Sequence, residues 1–393
     1  MNNLNIKIYP AELSGTLPAI PSKSAAHRAL ICEFLAGESG IVECDGSSAD
    51  IDATVECLQE LYEQDFPILR VRESGSTFRF LLPIVAALGK KAYFLLEGRL
   101  PERPLSPLYE ELVKHGCKMS PQGSQKFGVS GQLKPGTYKL NAGVSSQFIS
   151  GLLFALPLLD GNSKIQLTGK VESMPYIDMT VEMLERFGIE LEFKSNIFHI
   201  KGNQTYRTFE NIDVEGDWSN AAFWFAAQEI GKSQIKVTGL DNKSKQGDKA
   251  IVELLDKVDI DASDVPDLVP ILTVVAAARN GTTVIRNAGR LRIKESDRLA
   301  AITEVLNKLG ADVTEKDDGL EIYGGNRLKG GVTVSSYNDH RIAMSAAIAA
   351  TLLCKEPVVI EGADSVNKSY PHFFDDLQML GGKVEWLQDT EKI

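Results

Sequence analysis

Apolar and polar positions along the chain alternate between helical and strand-like spacing, and one short signature recurs. A leucine in a helical segment is followed four positions later by a glycine and then by a strand-like segment. The four complete copies begin at Leu112 (LVKHGCKM), Leu184 (LERFGIEL), Leu306 (LNKLGADV) and Leu377 (LQMLGGKV). Glycine suits the end of a helix, where the backbone turns into the left-handed region. The signature therefore predicts four helix ends, each followed by a strand.

Two weaker copies, at Leu58 (LQELYEQD) and Leu255 (LLDKVDID), lack the glycine. The six leucines are separated by 54, 72, 71, 51 and 71 residues, and each short gap follows a weaker copy. Helix–glycine–strand turns are common, so they could recur without duplication. The near-equal long gaps favour real repetition. We predict six similar α/β units, three to a domain, with the first and fourth shortened by about 20 residues, roughly one β-hairpin.

The composition is that of an ordinary globular protein long enough for two domains. The chain has 393 residues, 43% apolar and 24% charged, and no apolar stretch reaches the roughly 20 residues of a membrane-spanning helix. The first nine residues alternate like a strand and lack the order of a signal peptide. The five cysteines are scattered without a C-x-x-C pair, which indicates neither a disulfide framework nor a zinc site. We expect a cytoplasmic protein.

The net charge of −11 argues against non-specific nucleic-acid binding and makes a local group of cations more informative. One such group is the run Arg290–Arg298 (RLRIKESDR), between a strand-like segment at 282–285 and a helical pattern at 299–306. A solvated helix face could have the same composition. At a strand-to-helix junction, however, backbone N–H groups and the positive end of the helix dipole gather. The run is therefore a candidate anion site.

Most other predicted helix starts also carry hydroxyl, basic or acidic side chains. They lie at 22–28, 72–79, 143–148, 173–176, 264–267 and 337–341. Each can be explained as a helix N-cap. Lys23 is at the unfavourable end of a helix dipole for a cation, and an anion there would explain it. Asp267 suits an N-cap and also a general base. Together, these starts indicate a protein that holds several phosphate or carboxylate groups at once.

On these segments, the chain resembles the 5-enolpyruvylshikimate-3-phosphate synthase (3-phosphoshikimate 1-carboxyvinyltransferase) family over essentially its whole length. The motifs that carry the resemblance, in the family's order, are Ser22-Lys23-Ser24 with Arg28, Glu102-Arg103-Pro104, Ser145-Ser146-Gln147, Ser173 with Pro175-Tyr176-Ile177-Asp178, Val214-Glu215-Gly216-Asp217, Pro266-Asp267, Arg292 with Lys294-Glu295 and Asp297-Arg298, Tyr337-Asn338-Asp339-His340-Arg341, and Lys368 with Pro371.

The resemblance implies an α/β (α+β) fold of two domains, in agreement with the six repeats. Each domain would be an inside-out α/β barrel of three β-α-β-α-β-β units around a pseudo-threefold axis. Residues 1–19 plus 216–393 would form a discontinuous domain with units four to six. Residues 20–215 would form an inserted domain with units one to three. The active site is then expected in the cleft between the domains.

The implied reaction transfers the enolpyruvyl group of phosphoenolpyruvate to the 5-hydroxyl of shikimate 3-phosphate and releases phosphate, a step of chorismate and aromatic amino-acid biosynthesis. C3 of phosphoenolpyruvate is protonated while the hydroxyl attacks C2, and the tetrahedral intermediate then loses phosphate and the C3 proton. One acid/base group is needed at C3 and another at the hydroxyl. The resemblance implies no metal or organic cofactor. We expect a monomer without nucleic-acid or membrane partners.

Family roles carry over position by position. Glu295 matches the acid/base at C3 and Asp267 the base at the 5-hydroxyl, with Lys23 assisting both. Planar arginine forks suit carboxylates and phosphates. The positions that match the phosphoenolpyruvate site are Lys23, Gly75, Arg103, Gln147, Arg298, Arg341 and Lys368. The positions that match the shikimate 3-phosphate site are Lys23, Ser24, Arg28, Ser145, Ser146, Gln147, Ser173, Asp267 and Lys294.

Two positions depart from the family pattern. Glu73 stands where many members have the Asn of an Asn-Ala-Gly motif, which places an acid near an anion site. We expect Glu73 to pair with Arg72 or Arg103. Arg290 stands where many members have an Asn that contacts shikimate 3-phosphate, so the resemblance does not carry that contact over.

Two alternative functions stay open. The sister family that enolpyruvylates UDP-N-acetylglucosamine has Lys-Asn where this chain has Lys23-Ser24, and a catalytic cysteine on a mobile loop. Neither feature occurs here in the expected context. A non-catalytic anion-binding relative would not need Asp267, Glu295 and Arg298 intact. Phosphate release that requires both substrates would distinguish an enzyme from such a binder.

Overall fold

The computed structural model describes residues 4–44, 48–325 and 327–387. The chain divides into two compact units. Residues 1–20 and 215–393 form one, which we name the discontinuous unit, and residues 21–214 form the other, the inserted unit. Within the described ranges, no helix has the length and apolar character needed to cross a membrane.

Twelve α-helices and twenty β-strands lie within the described residues. The helices are α1 (Lys23–Ala36), α2 (Ala49–Glu63), α3 (Gly75–Ala87), α4 (Leu108–Lys114), α5 (Ser146–Ala155), α6 (Met174–Arg186), α7 (Trp218–Gly231), α8 (Ile251–Leu254), α9 (Val269–Ala278), α10 (Arg298–Leu309), α11 (His340–Leu352) and α12 (Phe373–Met379). The strands are β1 (Asn5–Tyr9), β2 (Gly15–Pro18), β3 (Val42–Glu43), β4 (Ile68–Arg72), β5 (Ala92–Leu96), β6 (Lys118–Met119), β7 (Lys126–Ser130), β8 (Thr137–Asn141), β9 (Ser163–Thr168), β10 (Leu191–Lys194), β11 (Ile197–Ile200), β12 (Ile212–Asp213), β13 (Ile235–Thr238), β14 (Asp259–Asp261), β15 (Gly281–Arg286), β16 (Asp312–Lys316), β17 (Gly319–Gly324), β18 (Thr333–Ser335), β19 (Val358–Glu361) and β20 (Lys383–Leu387).

The sheets repeat one pattern. The four-stranded sheets have the orders β4-β5-β7-β6, β10-β11-β9-β8, β14-β15-β17-β16 and β18-β19-β1-β20. Each contains one parallel pair that continues into an antiparallel pair, which is a hairpin in three of the sheets and joins β1 to β20 in the fourth. The two-stranded sheets, β12-β3 and β13-β2, keep only the parallel pair. Among the described residues, the first and fourth repeats therefore lack the hairpin, as the leucine spacing predicts.

The predicted helix ends are confirmed by backbone geometry. The φ angles of Gly116, Gly188, Gly310 and Gly381 are 106°, 74°, 101° and 106°, respectively. These angles lie in the left-handed region, where a side chain is costly and glycine is not. The glycine lets each helix stop and the chain turn back toward its strand. In this way a local sequence signal fixes the length of the helix.

Each unit has its own apolar core. The helices α3, α5, α9 and α11 are buried along most of their length, since their sequences have no polar face. α3 packs against α5 in the inserted unit, and α7, α9 and α11 pack pairwise in the discontinuous unit. Because the bodies of these helices are apolar, their polar residues concentrate at the N-terminal ends, where the candidate site residues lie.

Candidate functional site

Lys23 is held at the start of α1 by an acidic neighbour. Ser22 caps this helix, and its Oγ accepts a hydrogen bond from the backbone N–H of Ala25 at 3.3 Å. The ammonium of Lys23 donates to Asp50 Oδ2, in the first turn of α2, at 2.9 Å. The side chains of Lys23 and Asp50 are 16% and 15% exposed. The pair thus offsets the unfavourable helix dipole at Lys23 and leaves its charge partly accessible.

Arg28 is buried and bridges α1 to α6. Its Nε donates to Thr180 Oγ1 at 2.8 Å, its Nη1 to the Ser24 carbonyl at 2.6 Å and its Nη2 to the Tyr176 carbonyl at 2.7 Å. Burial lowers the pKa of this guanidinium to about 10. Ser173, the residue before α6, is buried in a left-handed conformation with φ of 56°, and its side chain does not cap the helix. Arg28 therefore ties the Ser24 turn to the start of α6.

Gly75 lies against two guanidinium groups. A Cβ atom at this position would be 2.6 Å from Arg79 Nη1 and 2.9 Å from Arg103 Nη1, so only glycine fits without moving them. Arg79 Nη1 also donates to Gln147 Oε1 at 3.1 Å. Gln147 Nε2 donates to Ser76 Oγ at 2.9 Å. The start of α3 and the start of α5 are thereby joined around a basic group.

The structure corrects where α3 starts. The apolar run at 80–88 predicts the body of a helix that follows the polar start at 72–79, but α3 already begins within that start, at Gly75, with Ser74 as its N-cap. The first turn is polar in composition yet mostly buried, which hides it from a hydrophobic pattern. Arg79, which sequence reasoning assigned no role, belongs to this turn. α5 begins at Ser146, and Ser145 Oγ caps it by accepting from the Gln147 N–H at 3.3 Å.

Glu73 does not pair with Arg72. Arg72 Nη2 instead lies 2.6 Å from Glu56 Oε1. The Glu73 carboxylate packs against Gly98, where a Cβ atom would meet it. The alternative that Glu73 pairs with Arg103 stays a prediction.

Arg298 is the centre of the candidate site in the discontinuous unit. It is the first residue of α10, and its side chain is 2% exposed. Its Nε donates to Asp339 Oδ2 at 2.8 Å, Nη1 to Asp267 Oδ1 at 2.7 Å and Nη2 to Glu295 Oε2 at 2.7 Å. Burial lowers the pKa of Arg298, but the three carboxylates outweigh it and raise the pKa above its ordinary value. One guanidinium therefore holds residues from three separate segments.

Asp267 lies between two arginines. Arg341 Nη2 donates to its Oδ2 at 3.1 Å, and Arg341 Nη1 donates to its backbone carbonyl at 3.2 Å. Burial raises the pKa of Asp267, but Arg341, Arg298 and Lys294 outweigh burial and hold it well below its ordinary value. The N-cap alternative for Asp267 is wrong, because a 3₁₀ turn at Pro266–Leu268 precedes α9 without a side-chain cap.

Three further cations border this cluster. Burial, with Arg298 and Arg290 nearby, lowers the pKa of Lys294 to about 8, although Asp267 opposes the shift. Lys368 donates to the Asn338 carbonyl at 2.6 Å. Arg290 donates through Nη2 to the backbone carbonyl of Ser263. The resemblance to the family did not predict this contact.

The structure thus groups the predicted residues within each unit. In the discontinuous unit it brings together Asp267, Glu295, Lys294, Arg298 and Arg341. In the inserted unit it brings together Gly75, Arg103 and Gln147, and separately Ser24 and Arg28. Sequence reasoning missed Arg79, Asp339, Ser219 and Asp248 as parts of these clusters. Of these, Asp339 lies inside a quoted motif and Arg79 inside the predicted helix start at 72–79, whereas Ser219 and Asp248 had no signal. The combination of buried cations and partly exposed carboxylates can bind anions and transfer protons.

Comparisons with known proteins extend over nearly the whole chain. The family model described as EPSP synthase (3-phosphoshikimate 1-carboxyvinyltransferase) matches residues 62–263 and 254–377. The 3-phosphoshikimate 1-carboxyvinyltransferase of Clostridium kluyveri is 44% identical over 424 residues, 97% of this chain and 98% of the relative. That of Clostridium beijerinckii is 43% identical over 434 residues, 97% and 99% of the two chains. A solved EPSP synthase from Acinetobacter baumannii, at 22% identity, covers 98% of this chain and 100% of its own with a TM-score of 0.79, which confirms the predicted α/β fold.

Proposed function

Because the chain belongs to the EPSP synthase (3-phosphoshikimate 1-carboxyvinyltransferase) family, we propose that it transfers the enolpyruvyl group of phosphoenolpyruvate to the 5-hydroxyl of shikimate 3-phosphate and releases phosphate. The observation that carries the proposal is the Arg298 cluster. A buried guanidinium orients both Asp267 and Glu295, the two carboxylates that the reaction needs. A protein that only binds anions would not need two carboxylates held in place by a buried guanidinium.

The proposed substrates are anionic, and the cations of both units suit them. Phosphoenolpyruvate carries a carboxylate and a phosphate, which planar guanidinium groups bind bidentately. We assign Arg298, Arg341 and Lys368 to it from the discontinuous unit, and Arg103 with Lys23 from the inserted unit. Gly75 and Gln147 complete this set. For shikimate 3-phosphate we assign Lys23, Ser24, Arg28, Ser145, Ser146, Gln147, Ser173, Asp267 and Lys294.

Glu295 is the proposed proton carrier at C3. Its side chain is 19% exposed, so it can reach a substrate, while Arg298 fixes its orientation through a 2.7 Å hydrogen bond. In the first step it gives a proton to C3 as the hydroxyl attacks C2. In the second step it takes a C3 proton back as phosphate leaves. One carboxyl group thereby serves both halves of the reaction.

Asp267 is the proposed base toward the 5-hydroxyl, with Lys23 assisting both transfers. Paired with two arginines, its carboxylate is a weak base, since they hold its pKa well below the ordinary value. An incoming phosphoenolpyruvate competes for the same guanidinium groups. As Arg298 and Arg341 turn toward the substrate, the pKa of Asp267 rises and it can accept the hydroxyl proton. Substrate binding thus activates the base.

A phosphate-release assay tests the proposed function. The full chain is incubated with phosphoenolpyruvate and shikimate 3-phosphate, and each substrate is then omitted in turn. We expect release only when both are present. Release with UDP-N-acetylglucosamine in place of shikimate 3-phosphate would assign the sister activity. Binding of both substrates without any release would identify a non-catalytic relative.

We also propose that the enzyme works as a cytoplasmic monomer. Sedimentation velocity at the concentration of the activity assay measures the mass of the active species. A dimer whose dilution abolishes activity would contradict the monomer.

A further inference from the structure

Asp248 is a buried acid next to the candidate base, and it matches none of the roles above. It lies in a 3₁₀ turn at Gly247–Ala250 and is 2% exposed. Its Oδ2 accepts a hydrogen bond from Ser219 Oγ, in the first turn of α7. Ser219 Oγ in turn accepts from Arg341 Nη2 at 2.7 Å. The same Nη2 donates to Asp267 Oδ2 at 3.1 Å. Three hydrogen bonds therefore connect Asp248 to Asp267.

The direction of these bonds follows from donor chemistry. A guanidinium can only donate, so Ser219 must accept from Arg341 and direct its own proton elsewhere. Asp248 receives that proton as an acceptor, and an ionised carboxylate accepts most strongly. The two protons of Arg341 Nη2 are then shared between Ser219 and Asp267. An anion at Asp248 thereby fixes which way this edge of Arg341 points.

Charged groups from three neighbouring segments act on Asp248. Asp267 faces it from the turn before α9, Asp217 from the cap of α7 and Arg341 from α11. Burial and then Asp267 raise the pKa of Asp248, while Arg341 and the Ser219 bond oppose them, and the result is about 6. Asp248 therefore gains or loses its charge near neutral pH, whereas Asp267 stays ionised.

We propose that Asp248 is a positioning residue for the reaction: through Ser219, it holds Arg341 in the orientation that receives phosphoenolpyruvate and limits how tightly Arg341 binds Asp267. This inference rests on the proposed function. When Asp248 is ionised, Arg341 is shared between Ser219 and Asp267. When Asp248 is protonated, the hold of Ser219 weakens, Arg341 moves toward Asp267, and phosphoenolpyruvate must compete harder for it.

The central test is Asp248→Asn, assayed over pH. Near pH 8 the KM for phosphoenolpyruvate should rise about tenfold, the scale of one hydrogen bond to a charged group, with a smaller change in kcat. As pH falls below about 6, the native enzyme also loses the Asp248 charge. The ratio of native to variant kcat/KM should therefore approach one. A residue that only supports the fold would lower activity by a constant factor at every pH.

Ser219 variants test the relay while the carboxylate stays in place. Ser219→Ala should raise the KM for phosphoenolpyruvate as Asp248→Asn does. Ser219→Thr keeps the hydroxyl and should restore most of the affinity. The double variant Asp248→Asn with Ser219→Ala should be no worse than either single variant, because both break one chain of bonds.

Asp376→Asn is a matched control in the same unit. Asp376 accepts a 2.6 Å hydrogen bond from Tyr370, which does not contact Arg341 through that bond, and burial raises the pKa of Asp376. Its ratio to the native enzyme should not change with pH. A pH-independent ratio for Asp248→Asn, or additive effects in the double variant, would overturn the inference.

Two further measurements distinguish a variant that does not fold from a failure of the proposed function. If thermal unfolding shows that Asp248→Asn does not fold, Ser219→Ala decides the question alone, with an unchanged KM counting against the relay. If the native chain releases no phosphate from its two substrates, the proposed function fails. Calorimetric binding of phosphoenolpyruvate to native and Asp248→Asn protein then tests the positioning role directly, and equal affinities at pH 8 would overturn it.

Discussion

Glu295→Gln separates proton transfer from binding and folding. The substitution keeps the size of the side chain and one acceptor oxygen, and it removes the charge and the transferable proton. If Glu295 carries the C3 proton, turnover should fall by roughly 10²–10⁴-fold, the usual contribution of a general acid–base group. That loss corresponds to about 2.7–5.5 kcal/mol of activation free energy.

The structure indicates that the variant will fold. Arg298 keeps its hydrogen bonds to Asp339 and Asp267 at 2.8 and 2.7 Å. The lost charge-assisted bond contributes about 1.5–3 kcal/mol. Removing the repulsion between Glu295 and Asp267 returns part of it. The net cost is small beside the roughly 5–15 kcal/mol by which domains are stable. Because the fold and the other contacts of Arg298 persist, the Michaelis constants for both substrates should change little.

The assay is phosphate release at saturating concentrations of both substrates, with incorporation of solvent deuterium into C3 followed by NMR. Glu304→Gln is the control, since Glu304 lies on α10, the helix that follows Glu295, is half-exposed and pairs with Lys308 at 2.8 Å. The control should turn over normally. A kcat for Glu295→Gln close to the native value, with unchanged deuterium incorporation, would refute the assignment.

Three further changes test other parts of the site. Gly75→Ala should raise the KM for phosphoenolpyruvate by about 10- to 100-fold, because its methyl group would lie under 3.0 Å from two guanidinium nitrogens; an unchanged KM would count against this basic group. Lys294, whose pKa burial lowers to about 8, should lose its charge in the free enzyme as pH rises through that value, so calorimetric affinity for shikimate 3-phosphate should fall there. Lys294→Arg should abolish this dependence, and identical profiles for the two proteins would contradict the role of the charge. Burial, aided by two nearby cations, holds the pKa of His27 well below its ordinary value, so only the unfolded chain takes up a proton below about pH 6.5. The free energy of unfolding should therefore fall by about 1.4 kcal/mol per pH unit below that point. Urea unfolding of His27→Asn at a series of pH values should give a free energy that falls less steeply with pH, by this amount. Equal pH dependence in the two proteins would exclude a buried neutral histidine.

Sequence reasoning succeeded where the determining interaction is local. A left-handed turn requires glycine, so Gly188 and Gly310 reveal helix ends without knowledge of the fold. The spacing of the repeats also revealed the two shortened units. It failed at the start of α3, because a turn that is polar and buried looks like a loop in the sequence.

Several residues of the candidate site were predictable from the sequence, but the hydrogen bonds between them were not. Motifs identified Arg298 and Asp267 through the resemblance. That Arg298 binds three carboxylates depends on segments that only the fold brings together. Asp248 has no local signal, since a buried acid and a surface acid look alike in a sequence. Arg79 was hidden in the same way, inside a run of polar residues.

The position of β1 has a consequence for synthesis of the protein. Ile6 pairs with Ile360 on one side and with Trp386 on the other. On the ribosome, the inserted unit is fully translated long before either partner strand exists. The first strand therefore waits with both edges open, and an open edge is a template for pairing with another chain. The sheet that contains β1 can therefore form only after β19 and β20 have been translated.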